Sequence, residues 1–314
     1  MILSVSRRTD IPAFYSEWFM NRMREGYVLV RNPMNYHQVS KVSLAPDVID
    51  VIVFWTKNAS PLIKHIDEIA SHYQFYFQYS LNAYDRSIEQ NLPPLQQRID
   101  TFRELSEKIG SGRIIWRYDP VLINDKIDVA WHKEQYHALT EQLNGFTERC
   151  VFSFVDLYEK VKNNVSGLGI RGCTLEEMQE LASDFSNISR ENGMVLQTCA
   201  EEVDLDSYGI AHGHCIDDEL IEKLTGRKLN AKKDKNQRGV CGCLESIDIG
   251  QYNTCRHGCK YCYANFNPQS VTTFSARHDP NSPYLIGKQE PDDKITERKI
   301  KSLLGEASGQ LSMF

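Results

Sequence analysis

Apolar and polar positions alternate along the first two-thirds of the chain in short β-rich runs separated by helical patterns. The runs predict strands, and segments with apolar residues at every third or fourth position predict amphipathic helices. The predicted strands are 2–5, 48–55, 74–81, 113–118, 150–155 and 194–199. The predicted helices are 17–25, 60–73, 93–109, 131–143 and 175–192. Strands joined by helices imply right-handed βαβ units, and six in series favour an α/β fold of partial or complete (β/α) TIM-like barrel type.

The pattern changes after Cys199. Residues 204–238 are polar and irregular, and a last predicted strand, 246–251, leads directly into a group of cysteines. From 274 onward Pro, Asp, Lys and Ser dominate, with one helix predicted at 295–304. We therefore predict three regions: a (β/α) barrel over 1–200, a metal-binding Cys-rich region over 201–273 that completes the barrel, and a C-terminal tail over 274–314.

Composition limits the class of protein. Hydrophobic residues make up 41% of the 314 residues and charged residues 25%, which is typical of a folded globular protein. The longest strongly apolar stretch, 51–55, is far shorter than the roughly 20 residues of a membrane span. The N-terminal sequence lacks the segments of a signal peptide, so we expect a cytoplasmic protein. In that reducing compartment the nine cysteines are expected to bind metal or catalyse rather than form disulfides.

Three cysteines lie on one short segment. Cys255, Cys259 and Cys262 follow the spacing C-x3-C-x2-C, and the aromatic Tyr261 stands directly before the third. Three thiolates on a tight loop can hold three irons of a [4Fe–4S] cluster and leave the fourth iron without a protein ligand. The alternatives are a zinc site, which needs four closed ligands, and reduced cysteines with no metal.

This segment resembles the signature of the radical S-adenosylmethionine (SAM) superfamily. The resemblance implies an enzyme that cleaves SAM reductively at the cluster into methionine and a 5′-deoxyadenosyl radical, with an electron donor such as flavodoxin or ferredoxin. More of the chain resembles one uncharacterised bacterial family, the DUF1848-like proteins: SRRTD at 6–10, FWTKN at 54–58, WRYDP at 116–120 and the Cys-rich last third. The barrel chemistry is also similar, at a distance, to that of spore photoproduct lyase.

The cysteine loop departs from the usual superfamily order. It follows the last predicted strand instead of the first, so we expect a circularly permuted barrel. No clear Gly-Gly-Glu segment of the sort that holds the SAM amino group is present. Barrels build their sites at strand ends, so the candidates for cofactor binding are Tyr261 of the signature and the polar residues Arg117, Asp119, Asp156 and Glu201. A structural ion pair between Arg117 and Asp119 is the alternative for those two.

Four further cysteines fall near the end of the predicted barrel. Cys199 ends a predicted strand, Cys215 follows His-Gly-His, and Cys241 and Cys243 form a tight pair before the last strand. Four thiolates would suit an auxiliary [4Fe–4S] cluster, which we favour, or a structural zinc, and either metal would help to order the polar insert. The alternative is unpaired cysteines in a small core.

The last residues of the sequence, Gln310, Leu311, Ser312, Met313 and Phe314, resemble the bacterial sliding-clamp-binding peptide. The resemblance implies docking on the clamp through two apolar anchors and a glutamine. The alternative is a tail that folds back onto the barrel.

Basic residues are concentrated between 223 and 238, a segment that contains seven Lys or Arg and a single acidic residue, Asp234. This indicates either a solvated loop or a phosphate-contacting surface, while the net charge of −6 argues mildly against an extensively basic protein. The leading hypothesis is a radical SAM enzyme acting on DNA, by lesion repair or base modification, with stacking surfaces at Trp55, Trp116, Tyr118 and Tyr79. The alternatives are a radical SAM enzyme acting on a small molecule, peptide or RNA, and a non-catalytic Fe–S redox or recruitment module.

Overall fold

An eight-stranded parallel sheet forms the centre of the molecule. The structure is a computed structural model that describes residues 1–305, except for the side chain of Lys160. Its strands are β1 (Ile2–Val5), β2 (Tyr27–Asn32), β3 (Asn35–Ser43), β4 (Val51–Thr56), β5 (Phe75–Ser80), β6 (Ile114–Val121), β7 (Arg149–Phe154), β8 (Val195–Cys199), β9 (Ala211–Gly213), β10 (Ile247–Asp248) and β11 (Lys294–Glu297). Its helices are α1 (Ile11–Phe14), α2 (Ser16–Glu25), α3 (Ser60–Ile63), α4 (Ile66–Ala70), α5 (Leu95–Ile109), α6 (Val129–Leu143), α7 (Glu159–Val165), α8 (Leu175–Glu191), α9 (Asp218–Thr225) and α10 (Pro268–Ala276).

The order of the strands is sequential apart from one displacement. The sheet runs β10-β1-β4-β5-β6-β7-β8-β9, so its last strand in the chain occupies the first place in space. The register pairs Leu3 with Ile247 and Ser4 with Asp248. Among the described residues the sheet does not close, because β10 and β9 remain its two edges. The architecture is therefore an open sheet of barrel-like order, and the complete barrel allowed by the sequence pattern is not formed.

Apolar runs form the central strands because both faces of the sheet are covered. Strand β4, with the sequence VIVFWT, is buried at every position but one, as expected for a parallel strand packed on two sides. Aromatic rings fill the core on the side of α6 and α8, where the ring centroids of Tyr136 and Phe185 are 4.0 Å apart. Helix α8 begins at a capping box between Thr174 and Glu177, which satisfies its first amides.

A second, three-stranded sheet has the order β11-β3-β2. The sequence pattern missed the β2–β3 hairpin, and its prediction of a helix at 295–304 is wrong. Residues Lys294–Glu297 form β11, which pairs in parallel with β3 from Gln38 to Lys41. Within residues 1–305, every helix is too short or too polar to cross a membrane.

Candidate functional site

The three-cysteine loop, residues 254–265, follows β10 at the carboxyl edge of the large sheet. β1 lies beside β10 and runs parallel to it, so the SRRTD segment emerges at the same edge. Asp248 joins the two strand ends, because its carboxylate accepts hydrogen bonds from Ser4 Oγ at 3.0 Å and from the Arg7 amide at 2.8 Å. Parallel α/β folds place ligand sites at this edge.

One buried carboxylate, Asp10, connects three separate segments. It accepts hydrogen bonds from Thr56 Oγ1, from the Lys57 amide and from His257 Nε2, each at 2.8 Å. Asp10 is 5% exposed and His257 is 2% exposed, so these bonds are shielded from water. SRRTD, FWTKN and the three-cysteine loop therefore meet at a single side chain.

A second buried carboxylate, Glu89, holds the other end of the loop. It accepts hydrogen bonds from Lys57 Nζ at 2.8 Å, from Arg98 Nη1 at 3.4 Å and from the Tyr261 hydroxyl. Burial alone would lower the pKa of Lys57, but Glu89 raises it above the ordinary lysine value, so the ammonium stays charged. The aromatic residue before the third cysteine is thus tied to an ion pair.

Sequence reasoning missed the roles of Asp10 and Glu89. Asp10 belonged to a quoted motif but carried no assigned role there, and Glu89 lies in a loop that no periodic pattern marked. The one signal for Glu89 is an acid between Ile88 and Leu92, both of which are buried. The hydrogen bonds of Asp10 and Glu89 to the cysteine loop join residues far apart in the chain, so the sequence around each acid gives no sign of them.

Burial sets the charge state of the three thiols in the absence of metal. It raises the pKa of Cys255 well above the usual thiol value and raises those of Cys259 and Cys262 as well. Burial thus favours the protonated form of the three thiols, and a bound metal would displace these protons. Within residues 1–305, no three Cys, His, Asp or Glu side chains are arranged to hold a single metal ion.

The other four predicted ligands, here called the four-thiol group (Cys199, Cys215, Cys241 and Cys243), come together from distant positions. Cys199 Sγ lies 3.0 Å from Cys215 Sγ, and Cys243 is hydrogen-bonded to both Cys215 and Cys241. The contact with Cys215 lowers the pKa of Cys199 to about 7. Arg117 Nη1 donates a hydrogen bond to Cys215 Sγ at 2.8 Å.

Both cysteine sets line one cavity of about 820 Å³. SRRTD, Trp55 and Lys57 also form part of its wall. Four buried polar atoms of lining residues have no hydrogen-bond partner among the described residues: Thr9 Oγ1, Arg31 Nε, Trp55 Nε1 and His257 Nδ1. Because unsatisfied buried polar atoms are costly, these four are atoms that a polar ligand in the cavity would satisfy.

The predicted cofactor-binding residues have separate places in the structure. Tyr261, Arg117, Asp119 and Asp156 line the cavity. Arg117 and Asp119 pair with each other at 2.5 Å, and Asp119 also accepts a hydrogen bond from Ser153, so much of their bonding capacity is used within the protein. Glu201 accepts a hydrogen bond from the Phe154 amide at 3.0 Å, and burial raises its pKa to about 7.

Most of the predicted stacking aromatics belong to the core. Trp116 and Tyr79 are 0% exposed and Tyr118 is 1% exposed, which excludes them as a surface for nucleobases and corrects that prediction. Trp55 alone of the four lines the cavity, with the Arg7 and Arg117 guanidinium carbons at 5.8 and 5.6 Å from its ring centroid.

The basic stretch 223–238 is largely engaged in internal contacts. Its partnered side chains are Lys223 with Glu148, Arg227 with the Gly305 carbonyl, Lys228 with Glu222, Lys233 with the Gly239 carbonyl, and Arg238 with Asp156. The side chains of Lys232 and Lys235 have no hydrogen-bond or ion-pair partner within residues 1–305. Most of the stretch therefore fits the solvated-loop alternative.

A comparison with protein families accounts for most of the chain. The sequence model of the "Domain of unknown function (DUF1848)" matches residues 2–264. The chain belongs to this family. The DUF1848 match contains the eight strands of the large sheet and both cysteine sets, whereas Gln310–Phe314 falls after it and also lies outside the described residues. No curated protein matches this DUF1848 chain.

Proposed function

We propose that this DUF1848 protein is a radical SAM enzyme. The observation that carries the proposal is the displaced strand: β10, last of the sheet in the chain, is first in space and leads the C-x3-C-x2-C loop to the cavity. Radical SAM barrels carry their cysteine loop after the first strand. A circular permutation of such a barrel would produce this strand order.

The donor set supports a [4Fe–4S] cluster with one open iron. The thiols of Cys255, Cys259 and Cys262 are close enough to influence one another's charge. Three thiolates on one loop suit a cluster, in which each sulfur binds a different iron and one iron stays open, better than a zinc site, which needs four closed ligands. When bound, such a cluster supplies the electron that cleaves SAM.

The protein's own residues would orient the loop and receive the ligand. Asp10 and Glu89 fix His257 and Tyr261, which lie between the cysteines, so the loop is held from outside the thiols. The unpartnered atoms Thr9 Oγ1 and Trp55 Nε1 are available to a polar ligand in the cavity. Its 820 Å³ falls within the range of about 300–1,000 Å³ usual for ligand sites.

Anaerobic reconstitution with iron and sulfide, followed by dithionite reduction with SAM, tests this function. We expect about four irons on the three-cysteine loop and formation of 5′-deoxyadenosine. A fully loaded, reducible cluster that forms no 5′-deoxyadenosine would contradict SAM cleavage and favour the non-catalytic Fe–S module.

We propose DNA as the substrate, in lesion repair or base modification, with docking on the sliding clamp. The support is the clamp-like sequence Gln310–Phe314 and the two unpartnered lysines of the basic stretch. A mobility-shift series should show affinity for DNA that falls steeply with salt. Binding that is absent or independent of salt would contradict a DNA substrate.

Deletion of 310–314 tests the docking peptide separately. We expect SAM cleavage to be unchanged and clamp binding to be lost, because a docking tail is independent of the cavity. Loss of both activities would contradict a separate tail.

A small molecule, peptide or RNA is the second substrate class. The observation that favours it is the internal pairing of most of the basic stretch, which leaves few cations for a phosphate backbone. A protein that cleaves SAM and ignores DNA would establish this alternative.

A further inference from the structure

We propose that the four-thiol group binds a single thiophilic divalent ion, such as Zn²⁺, on the wall of the cavity that also holds the three-cysteine loop. The four side chains come from the end of β8, from the segment after β9 and from the turn before β10. The site is separate from the three-cysteine loop in its ligands and in its local structure.

The sulfur contacts favour one ion over a second cluster. Cys215 touches both Cys199, at 3.0 Å between sulfurs, and Cys243, which in turn touches Cys241. Four sulfurs about 2.3 Å from one zinc lie about 3.8 Å from one another. In a [4Fe–4S] cluster each sulfur binds its own iron, which holds the sulfurs farther apart. The sequence pattern favoured the cluster, whereas these contacts favour the ion.

In the structure the thiols pair with one another and do not yet surround a common point. Binding therefore requires the sulfurs to turn about their χ1 torsions while the backbone stays in place. The backbone at Cys215 is already fixed, because its carbonyl accepts hydrogen bonds from Tyr76 at 2.8 Å and from Gln78 at 3.0 Å. Ion binding would replace thiol–thiol contacts with thiolate–metal bonds and release protons.

Two neighbouring features are built for close approach of charged sulfurs. Arg117 is 5% exposed and donates a hydrogen bond to Cys215 Sγ, so the group has a buried cation in contact with one of its sulfurs. Gly242 separates Cys241 from Cys243, and a Cβ there would lie 2.2 Å from the His214 ring. A larger residue at 242 would therefore require the His214 side chain, on the segment that carries Cys215, to move aside.

All four cysteines line the 820 Å³ cavity, so the ion would form part of its wall. That the cavity is the reaction space rests on the proposed function, but the metal site does not. The ion would fasten the polar insert between Cys199 and β10 to the carboxyl edge of the sheet.

The test uses the full chain with Cys255, Cys259 and Cys262 all changed to Ala, stripped with a chelator. Zn²⁺ is titrated in competition with a chromogenic chelator, and Co²⁺ in a parallel sample reports thiolate coordination by its charge-transfer absorption. We expect one zinc per chain, at least a ~10-fold loss of affinity on adding Cys215→Ser, and no change on adding Cys173→Ser. Cys173 is the matched control, because it is a half-buried cysteine that is not among the residues lining the cavity. Circular dichroism verifies that each variant is folded.

Uptake of iron and sulfide by the triple variant, with cluster absorption, would overturn the single ion. Absence of any metal, or equal zinc affinity with Cys215→Ser, would overturn the site. If the triple variant does not fold, alkylation of the parent protein replaces it: zinc should slow the reaction of the four-thiol cysteines with iodoacetamide and leave the reaction rate of the loop cysteines unchanged, and the reverse would overturn the assignment. Formation of 5′-deoxyadenosine is scored separately, so failure of the proposed function is distinguishable.

Discussion

The two cysteine sets share one cavity wall but are assembled in different ways. The three-cysteine loop takes all its thiols from one turn of chain after β10. The four-thiol group collects Cys199, Cys215, Cys241 and Cys243 from three segments that meet only in the folded sheet. Spacing along the chain therefore reveals a site when one segment supplies every donor, and reveals much less when topology does.

The surroundings of the two sets also differ. Asp10 and Glu89 hold the loop through residues between its cysteines, so the thiols themselves have no cation bonded to sulfur among the described residues. In the four-thiol group, Arg117 bonds directly to Cys215. The loop is thus held through its non-cysteine residues, whereas the four-thiol group has a cation in direct contact with one of its sulfurs.

The largest effect should come from Cys259→Ala. Because a cubane with one open iron needs all three loop thiols, iron at the loop should fall from about four per chain to near zero, and 5′-deoxyadenosine should disappear. Metal analysis and product chromatography measure both, with Cys173→Ala as the control. Full iron content in Cys259→Ala would remove the distinction between the two sets.

The outside support of the loop is tested by Glu89→Gln. The Glu89 side chain is 0% exposed, and its removal leaves the charges of Lys57 and Arg98 buried, so we expect a loss of about 3–5 kcal/mol in the free energy of unfolding. Glu68→Gln is the matched control, because Glu68 pairs with Arg24 in solvent and should cost less than about 1 kcal/mol. Urea unfolding of the metal-free proteins measures both changes. Equal losses of unfolding free energy in Glu89→Gln and Glu68→Gln would contradict the assigned role of Glu89.

Low pH can reduce the stability of the protein without any loss of metal, and His132→Gln tests this contribution. His132 is 0% exposed, far along the chain from both sets, and burial lowers its pKa to about 4. Between the unfolded pKa of about 6.5 and this value, the unfolded chain binds more protons, so stability falls as pH falls, by up to about 3 kcal/mol.

Urea unfolding of metal-free protein at neutral and acidic pH measures this change. The profile of His132→Gln should be flatter than that of the parent chain. If both proteins lost the same free energy of unfolding on acidification, a group other than His132 would be responsible.

The smallest effect concerns the insert that joins the cysteine sets. If DNA binds there, Lys232→Ala with Lys235→Ala should reduce the slope of log affinity against log salt by about 2. Lys228→Ala is the control, since Lys228 is held by Glu222 at 2.6 Å. An equal reduction in the control would show that the internal pairing does not decide which lysines contact phosphate.

Local pattern predicted some elements well and failed where pairing decided the outcome. Ile2–Val5 is a strand as predicted, because its apolar run is buried on both sides. Strand β3 escaped prediction because its first half is polar and exposed. The stretch from Lys294 forms a strand rather than a helix because β3 offers it a hydrogen-bonding edge, which no local propensity records.

The amino-acid sequence alone determined the alternation of strands and helices, the C-x3-C-x2-C spacing and the family resemblance, since all three depend on residues close together in the chain or on whole motifs. Tertiary structure alone decided that β10 stands first in the sheet, that Asp10 meets His257 and that four distant thiols touch. These contacts join residues far apart in the chain. They exist only after the parallel sheet has set the order of its strand ends, because hydrogen bonds and thiol contacts act over a few ångströms.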